Sequence, residues 1–277
     1  MRSSSARIHI LCEAAKGSRA EGLPARPHTS GSEPEKSGKR LAEAGVEKFA
    51  GGFHTVPRRI KEKRSLQMKV ILVNGSPHPK GCTFTALREV ADTLESAGIE
   101  TELFWIGGKP LSGCIDCRKC VERGVCVFDD RVNEFLDIAA NYDGYVFGSP
   151  VHWGAAGGSI TSFMDRVFFA DFCGGGRRFQ HKPAACVVSA RREGTTASLD
   201  QLHKYFSLMQ MPIVTARYWN AVHGTNPDEV REDKEGMQNM RYLGRNMAWL
   251  LACLDAGKKA AVALPEQEPV IFTNFIR

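Results

Sequence analysis

Beyond residue 67, short apolar runs alternate with amphipathic helical stretches, and no other feature of the sequence narrows the fold as far. Val70, Ile71, Leu72 and Val73 read as a buried strand. A loop over residues 74–81 then leads into a helix with Leu87, Val90, Ala91, Leu94 and Ala97 on one face, stopped by Gly98. Residues 101–106, residues 144–148 and Ala184–Ala190 read as further strands, and residues 213–216 open a fifth. One intervening helix carries Val132, Phe135, Leu136 and Ala139 behind a cap at Asp129 or Asp130. Two more carry Ile160, Phe163, Met164, Val167 and Phe168, and Leu199, Leu202, Phe206 and Met209. The last helix opens with Asn226 as cap and Pro227 in first position, then runs through Met237, Met240, Met247 and Leu251 to Gly257. Such alternation predicts an α/β fold: a doubly wound, five-stranded parallel sheet with helices on both faces and ligands at the carboxyl ends of its strands.

Charge divides at the same boundary. Residues 1–67 hold 14 Lys or Arg against 7 Asp or Glu, whereas the remaining 210 hold 23 against 24. The formal charge of +6 therefore belongs to the N-terminal segment, so nucleic-acid binding by the near-neutral domain over 68–277 loses its support and no nucleic-acid partner is expected. Residues 1–67, rich in Arg, Ser, Gly, Glu, Lys and Pro without a period, are expected to be a disordered extension. It reads either as a targeting segment or as an over-extended gene start with Met68 as the true initiator, and the second is favoured because the first strand follows a methionine so closely. No apolar run approaches the roughly 18–20 residues needed to span a bilayer. Nine cysteines without a secretory signal argue for a reducing compartment, so a soluble cytoplasmic protein with no membrane partner is expected.

Residues 74–85 read Asn-Gly-Ser-Pro-His-Pro-Lys-Gly-Cys-Thr-Phe-Thr, between a buried strand and an amphipathic helix. An anion at that junction meets unpaired backbone N–H groups and the positive end of the helix dipole. Gly75 and Gly81 permit tight geometry, and Ser76, Thr83 and Thr85 add hydroxyl groups. Neither the Walker spacing nor G-x-G-x-x-G is present. On chemistry alone, an ordinary polar strand-to-helix turn accounts for this loop as well as an anion site does. A second loop reads Gly148-Ser149-Pro150-Val151-His152-Trp153-Gly154 and continues through Gly157 to Ser159. Its glycines allow close backbone approach and Trp153 offers a π-face, although a half-buried packing role is the commoner one for such a tryptophan. His152 is read as a surface histidine without a proton-transfer role. A third segment, Ser189-Ala190-Arg191-Arg192-Glu193-Gly194, follows the fourth strand.

Together these segments resemble the NADPH-dependent FMN reductase and iron–sulfur flavoprotein branch of flavodoxin-like proteins. Residues 74–83 are similar to its N-G-S-P-R-x-x-G-N-T phosphate loop, with His78 in place of Arg and Cys82 in place of Asn. Residues 148–154 are similar to its G-S-P-V-Y-x-G loop, and Phe163-Met164-Asp165-Arg166 to the F-x-D-R of the following helix. Residues 273–277 also resemble the C-termini of that branch. The resemblance implies a flavodoxin-like sheet of order 2-1-3-4-5 with bound FMN. Ser76, His78, Thr83, Phe84 and Thr85 would then hold the phosphate. Pro150, Val151, His152, Trp153 and Gly154 would line the ring, with Ser189 and Arg191 on the last flavin-facing loop. Arg191 is placed to stabilise charge on the reduced ring, or else is a solvated loop arginine. It further implies homodimers or homotetramers, for which the Met237, Met240 and Met247 stripe is one candidate surface; by default such a stripe packs on its own sheet.

Cys114, Cys117, Cys120 and Cys126 fall within 13 residues as C-x2-C-x2-C-x5-C. Thiolates at such spacing suit one face of a [4Fe–4S] cluster, and the run resembles the compact motif of iron–sulfur flavoproteins. A four-thiolate zinc site and a metal-free loop of reduced thiols are the alternatives. The remaining cysteines are isolated and read as packing residues.

The family resemblance implies a redox enzyme. NAD(P)H would reduce bound FMN, and FMN would pass electrons to a small acceptor such as a quinone, an azo or nitro compound, or free flavin. The cofactor performs the chemistry, so no catalytic acid–base residue is assigned. The alternative is an iron–sulfur flavoprotein that exchanges single electrons with a ferredoxin-like partner. A zinc-stabilised binding module is a third, weaker reading.

Overall fold

The apolar run that opens the domain forms β1 (Lys69–Asn74), buried on both faces between β2 (Glu100–Trp105) and β3 (Gly144–His152). A two-residue strand, β4 (Ala155–Ala156), folds back antiparallel on the end of β3. Beyond β3 lie β5 (Ala184–Ala190) and β6 (Ala221–His223), both parallel to it. The order β2-β1-β3-β5-β6, with β4 as a side branch, is the expected flavodoxin-like order of five parallel strands. In this computed structural model residues 67–269, 271 and 273 are described. The expected N-terminal extension lies outside the described residues apart from Gln67, as do residues 274–277.

Strand residues alternate between two cores. Ile71, Val73, Tyr145, Phe147, Cys186 and Val188 face one side. There they meet α3 (Arg131–Ala139), α4 (Gly158–Cys173) and α5 (Thr195–Leu208) through Phe135, Phe163, Phe168 and Phe206. Val70, Leu72, Val146, Ala185, Val187 and Val222 face the other. Covering them are α1 (Cys82–Ser96), α6 (Pro227–Glu232) and α7 (Lys234–Lys259). Burial on both faces explains why the central strands read as unbroken apolar runs. A short helix, α2 (Cys120–Arg123), sits within the cysteine segment. No helix among the described residues is long and apolar enough to cross a membrane.

Two local expectations change. The fifth strand forms at Ala221–His223, since at residues 213–216 only Ile213 bridges to Ala184. The Asn220 side chain accepts the Ala216 N–H at 3.1 Å and donates to the Val214 carbonyl at 3.4 Å, which closes this stretch as a loop before pairing with β5 resumes. The last helix is two helices, broken at Asp233, whose carboxylate accepts the Gly236 N–H at 2.9 Å and the His223 N–H at 2.7 Å. That cap anchors α7 to the end of β6, and α7 runs past Gly257 to Lys259. Met237, Met240 and Met247 are buried in the second core, so the methionine stripe packs on the chain's own sheet.

Candidate functional site

Parallel register brings three loops to one edge. Asn74 lies beside Gly148, Pro150 beside Ser189, and Ser189 beside Val222, so the segments leaving β1, β3 and β5 emerge together at the carboxyl ends. Gly75 donates its N–H to the Gly148 carbonyl at 2.9 Å, and a Cβ on Gly75 would stand 2.6 Å from that oxygen and 2.6 Å from the Ile160 Cβ. Glycine is therefore required where the first loop crosses the second. Across the site, the Thr83 and Ser189 hydroxyls are 2.8 Å apart and join the first loop to the third.

Buried Asn74 curls the first loop on itself. Its Oδ1 accepts the Ser76 N–H at 3.0 Å, and its Nδ2 donates to the His78 and Pro79 carbonyls at 3.4 and 3.2 Å. Ser76 Oγ accepts the His78 N–H at 3.1 Å, and the Trp105 indole donates to the Ser76 carbonyl at 2.8 Å. Gly81 precedes α1 without a capping side chain, so N–H groups of the first turn, at Cys82, Thr83 and Phe84, face the loop without helical acceptors. Thr85 Oγ1 instead donates to the Gly81 carbonyl at 3.1 Å, and the His78 side chain is exposed.

The second loop, read from the sequence as a glycine-bearing loop, is a hairpin. Val151 pairs with Ala156 and His152 with Ala155 around Trp153 and Gly154, at φ 51° and 77°. Two positive φ values in a two-residue connection give a turn whose twist matches the strands, normally carried by Asn-Gly. The bend leaves the Trp153 side chain fully exposed. Ser149 Oγ accepts the Gly157 N–H at 3.1 Å and holds the base of the hairpin. Gly194, at φ 95°, closes against Gly154: a Cβ there would lie 2.6 Å from the Gly154 Cα. Arg191 is exposed beside this junction in sequence, and Ser189 is buried.

The four cysteines of the 114–126 segment line one pocket with Phe128, Arg166, Phe169 and Ala170. Its cavity is about 20 Å³, roughly the room of one water. Cys120 is buried, Cys126 half-buried, and Cys114 and Cys117 exposed. Burial, against a backbone hydrogen bond, pushes the Cys120 thiol up, and the charges of Cys114, Cys117 and Cys126 add to the shift. On either side of Cys117, Asp116 and Arg118 take φ of 49° and 60°, uncommon for residues with a side chain. The segment leaves β2 at the carboxyl edge and runs along α4, and a Cβ on Gly174 would meet Gly124 at 2.6 Å. The pocket thus flanks the later turns of α4, beginning at Arg166, eight residues or about 12 Å from Gly158.

Residues 68–226, more than half of the chain, match the family model described as NADPH-dependent FMN reductase. The chain belongs to that family. An iron–sulfur flavoprotein of Methanocaldococcus jannaschii is 33% identical over 188 residues, covering 65% of this chain and 96% of that protein. Another, from Archaeoglobus fulgidus, is 27% identical over 193 residues, covering 66% and 96%. The fold is shared with a solved NAD(P)H:quinone oxidoreductase of Methanothermobacter marburgensis at TM-score 0.52 and 19% identity, covering 66% of this chain and 96% of that one.

The NADPH-dependent FMN reductase family makes this chain an FMN-dependent oxidoreductase. The residues present suit a flavin at the carboxyl edge: an uncapped helix start for the phosphate, glycine where the first loop crosses the second, and an exposed indole on the adjoining hairpin. The cysteine pocket suits a four-thiolate centre by donor type and charge, because buried Arg166 donates to Cys126 Sγ at 3.2 Å. Among the described residues no three His, Cys, Asp or Glu form a group that could hold a single metal ion. A cubane makes a different demand, giving each thiolate its own iron and spreading the four sulfurs apart. Arg166, Asp130, Asn74 and Trp105 also make site contacts, although none of the four is a cofactor- or metal-binding candidate in the sequence. Arg166 stood in the F-x-D-R resemblance and Asp130 in the cap, but no local pattern directs either toward the cysteines.

Proposed function

We propose that this FMN-dependent oxidoreductase is an electron carrier, exchanging electrons between FMN at the carboxyl edge and a [4Fe–4S] centre on Cys114, Cys117, Cys120 and Cys126. The observation that carries the proposal is the gathering of all four thiols in one pocket beside a buried guanidinium. The names of the curated relatives agree with it. Bound FMN supplies two-electron exchange with a hydride donor and one-electron exchange with a metal centre. The protein binds and orients. In this reading the first-turn amides of α1, with Ser76, His78 and Thr83, hold the phosphate. Pro150 to Gly154 border the ring, while Ser189 and Arg191 approach from the third loop. A ferredoxin-like protein is the proposed partner at the four-thiolate end. NAD(P)H as the donor, with a small acceptor such as a quinone, is a second reading that the family description favours.

An absorption spectrum of the anaerobically purified chain, with iron and acid-labile sulfide analysis, tests these readings together. Flavin bands over a broad cluster absorption, with about four irons per chain, are expected. A protein that stays colourless after FMN addition would end the flavin assignment. Flavin without iron or sulfide would leave the NAD(P)H reading alone, to be decided by bleaching with NADH or NADPH. Within the flavin site, Trp105→Phe removes the donor to the Ser76 carbonyl. Loss of one such hydrogen bond, about 1 kcal/mol, is expected to raise the Kd for FMN roughly fivefold by fluorescence titration.

A further inference from the structure

We propose that Arg166 is the positioning residue of the four-thiol centre: it clamps both ends of the cysteine loop and donates an N–H to the Cys126 sulfur, and so governs how readily the centre loads and accepts an electron. The inference rests on the four-thiolate reading above.

Arg166 lies in the third turn of α4 and is only 2% exposed. All five of its N–H donors have acceptors. Nε donates to Cys126 Sγ at 3.2 Å. Nη1 donates to the Ser112 carbonyl at 3.3 Å and Asp130 Oδ2 at 2.7 Å. Nη2 donates to the Phe128 carbonyl at 3.3 Å and Asp130 Oδ1 at 2.9 Å. Ser112 stands two residues before the first cysteine, and Phe128 two after the last, so one side chain spans the loop that carries all four thiols. The guanidinium also faces the Phe128 ring, 5.0 Å from its centroid.

A planar fork with five donors is what this arrangement needs, and a lysine ammonium has three. Asp130 fixes the fork from behind while its Oδ1 accepts the Val132 N–H at 3.0 Å as the cap of α3. The loop is thereby tied to two helices before any metal arrives. Charge adds a second effect. One electron, taken from reduced flavin or a reductant in solution, makes a four-thiolate cluster one unit more negative, with no bond made or broken. A cation that hydrogen-bonds a ligand sulfur from a buried position favours that added charge. Asp130, 2.7 Å behind the cation, opposes it.

These opposed charges give the test a sign. The full chain and its R166K, R166Q and D130N variants are reconstituted anaerobically with ferrous iron and sulfide, then titrated against a redox dye. Arg166→Lys and Arg166→Gln are expected to lose about ten- to hundredfold in iron affinity, the usual effect of removing an outer-shell partner. In the loaded fraction of R166Q, the balance of reduced to oxidised centre falls about tenfold. D130N keeps the Cys126 contact and, through its amide oxygen, the helix cap; it loads and shifts the balance about tenfold the other way. FMN content stays at the wild-type level throughout. A merely structural arginine would alter loading without opposite shifts in the two variants. Loading and titration unchanged in both, or shifts of one sign, overturn the inference and leave the four-thiolate reading intact. A wild-type chain that takes up neither iron nor sulfide overturns both. Should R166Q lose its fold along with FMN, R166K and D130N decide the matter by the same readouts.

Discussion

Gly75→Ala is expected to weaken FMN binding about ten- to hundredfold while the domain stays folded. A Cβ at this position would lie 2.6 Å from the Gly148 carbonyl oxygen and 2.6 Å from the Ile160 Cβ. Neither neighbour gives way easily, because one is the backbone of a central strand and the other lies in the buried first turn of α4. Overpacking of this kind costs about 1–3 kcal/mol, well inside the stability of an ordinary domain. The strain is relieved by moving the loop, since Gly75 is where it turns away from β1 and donates to Gly148. In the proposed site the amides assigned to the phosphate move with it, so the cost falls on the ligand at about 1.4 kcal/mol per decade of affinity. Equilibrium titration with FMN, beside far-UV circular dichroism, measures both halves. A folded variant that binds FMN as tightly as the wild type would remove the phosphate from this loop.

The second large effect is separable from the first. Cys120→Ser is expected to reduce iron by about tenfold or more per chain while FMN content is unchanged, because in the proposed centre a hard hydroxyl would replace a soft thiolate ligand. Cys120 is the buried member of the four, starts α2 and lines the pocket, so an outside ligand has least access to its place. Cys253, exposed on α7, supplies the control, and Cys253→Ser is expected to retain its iron. Iron and sulfide analysis after anaerobic reconstitution makes the comparison. Equal iron in the two variants would show that the four cysteines do not act as one ligand set.

What was legible in the sequence is local. The apolar faces of α1, α3 and α4 appear in the residue spacing because a helix packed on a sheet must bury one stripe. Asp130 was readable as a cap, since a short acceptor before an apolar period serves the free amides of a first turn. The hairpin at Trp153 was not, because its two positive φ values fall on a Trp-Gly pair rather than on the usual turn residues. The fifth strand was misplaced for a related reason. Residues 213–216 have strand-like composition, but after Ile213 bridges to Ala184 the Asn220 side chain takes the Ala216 N–H and the Val214 carbonyl and closes the stretch as a loop. Asp233 breaks the last helix through a bond to His223, ten residues away on another element.

By itself, the sequence determined a doubly wound α/β domain beyond residue 67, a polar glycine-bearing loop at its first helix and a set of four cysteines, because periodicity, capping and spacing act over a few residues. Tertiary structure decided what those parts become together. Thr83 meets Ser189 across 106 residues, and Arg166 reaches Cys126 across 40 and Ser112 across 54. Such contacts follow from strand register and from the packing of α4 against the cysteine loop. A side chain with five donors satisfies them only where the fold has already gathered the acceptors.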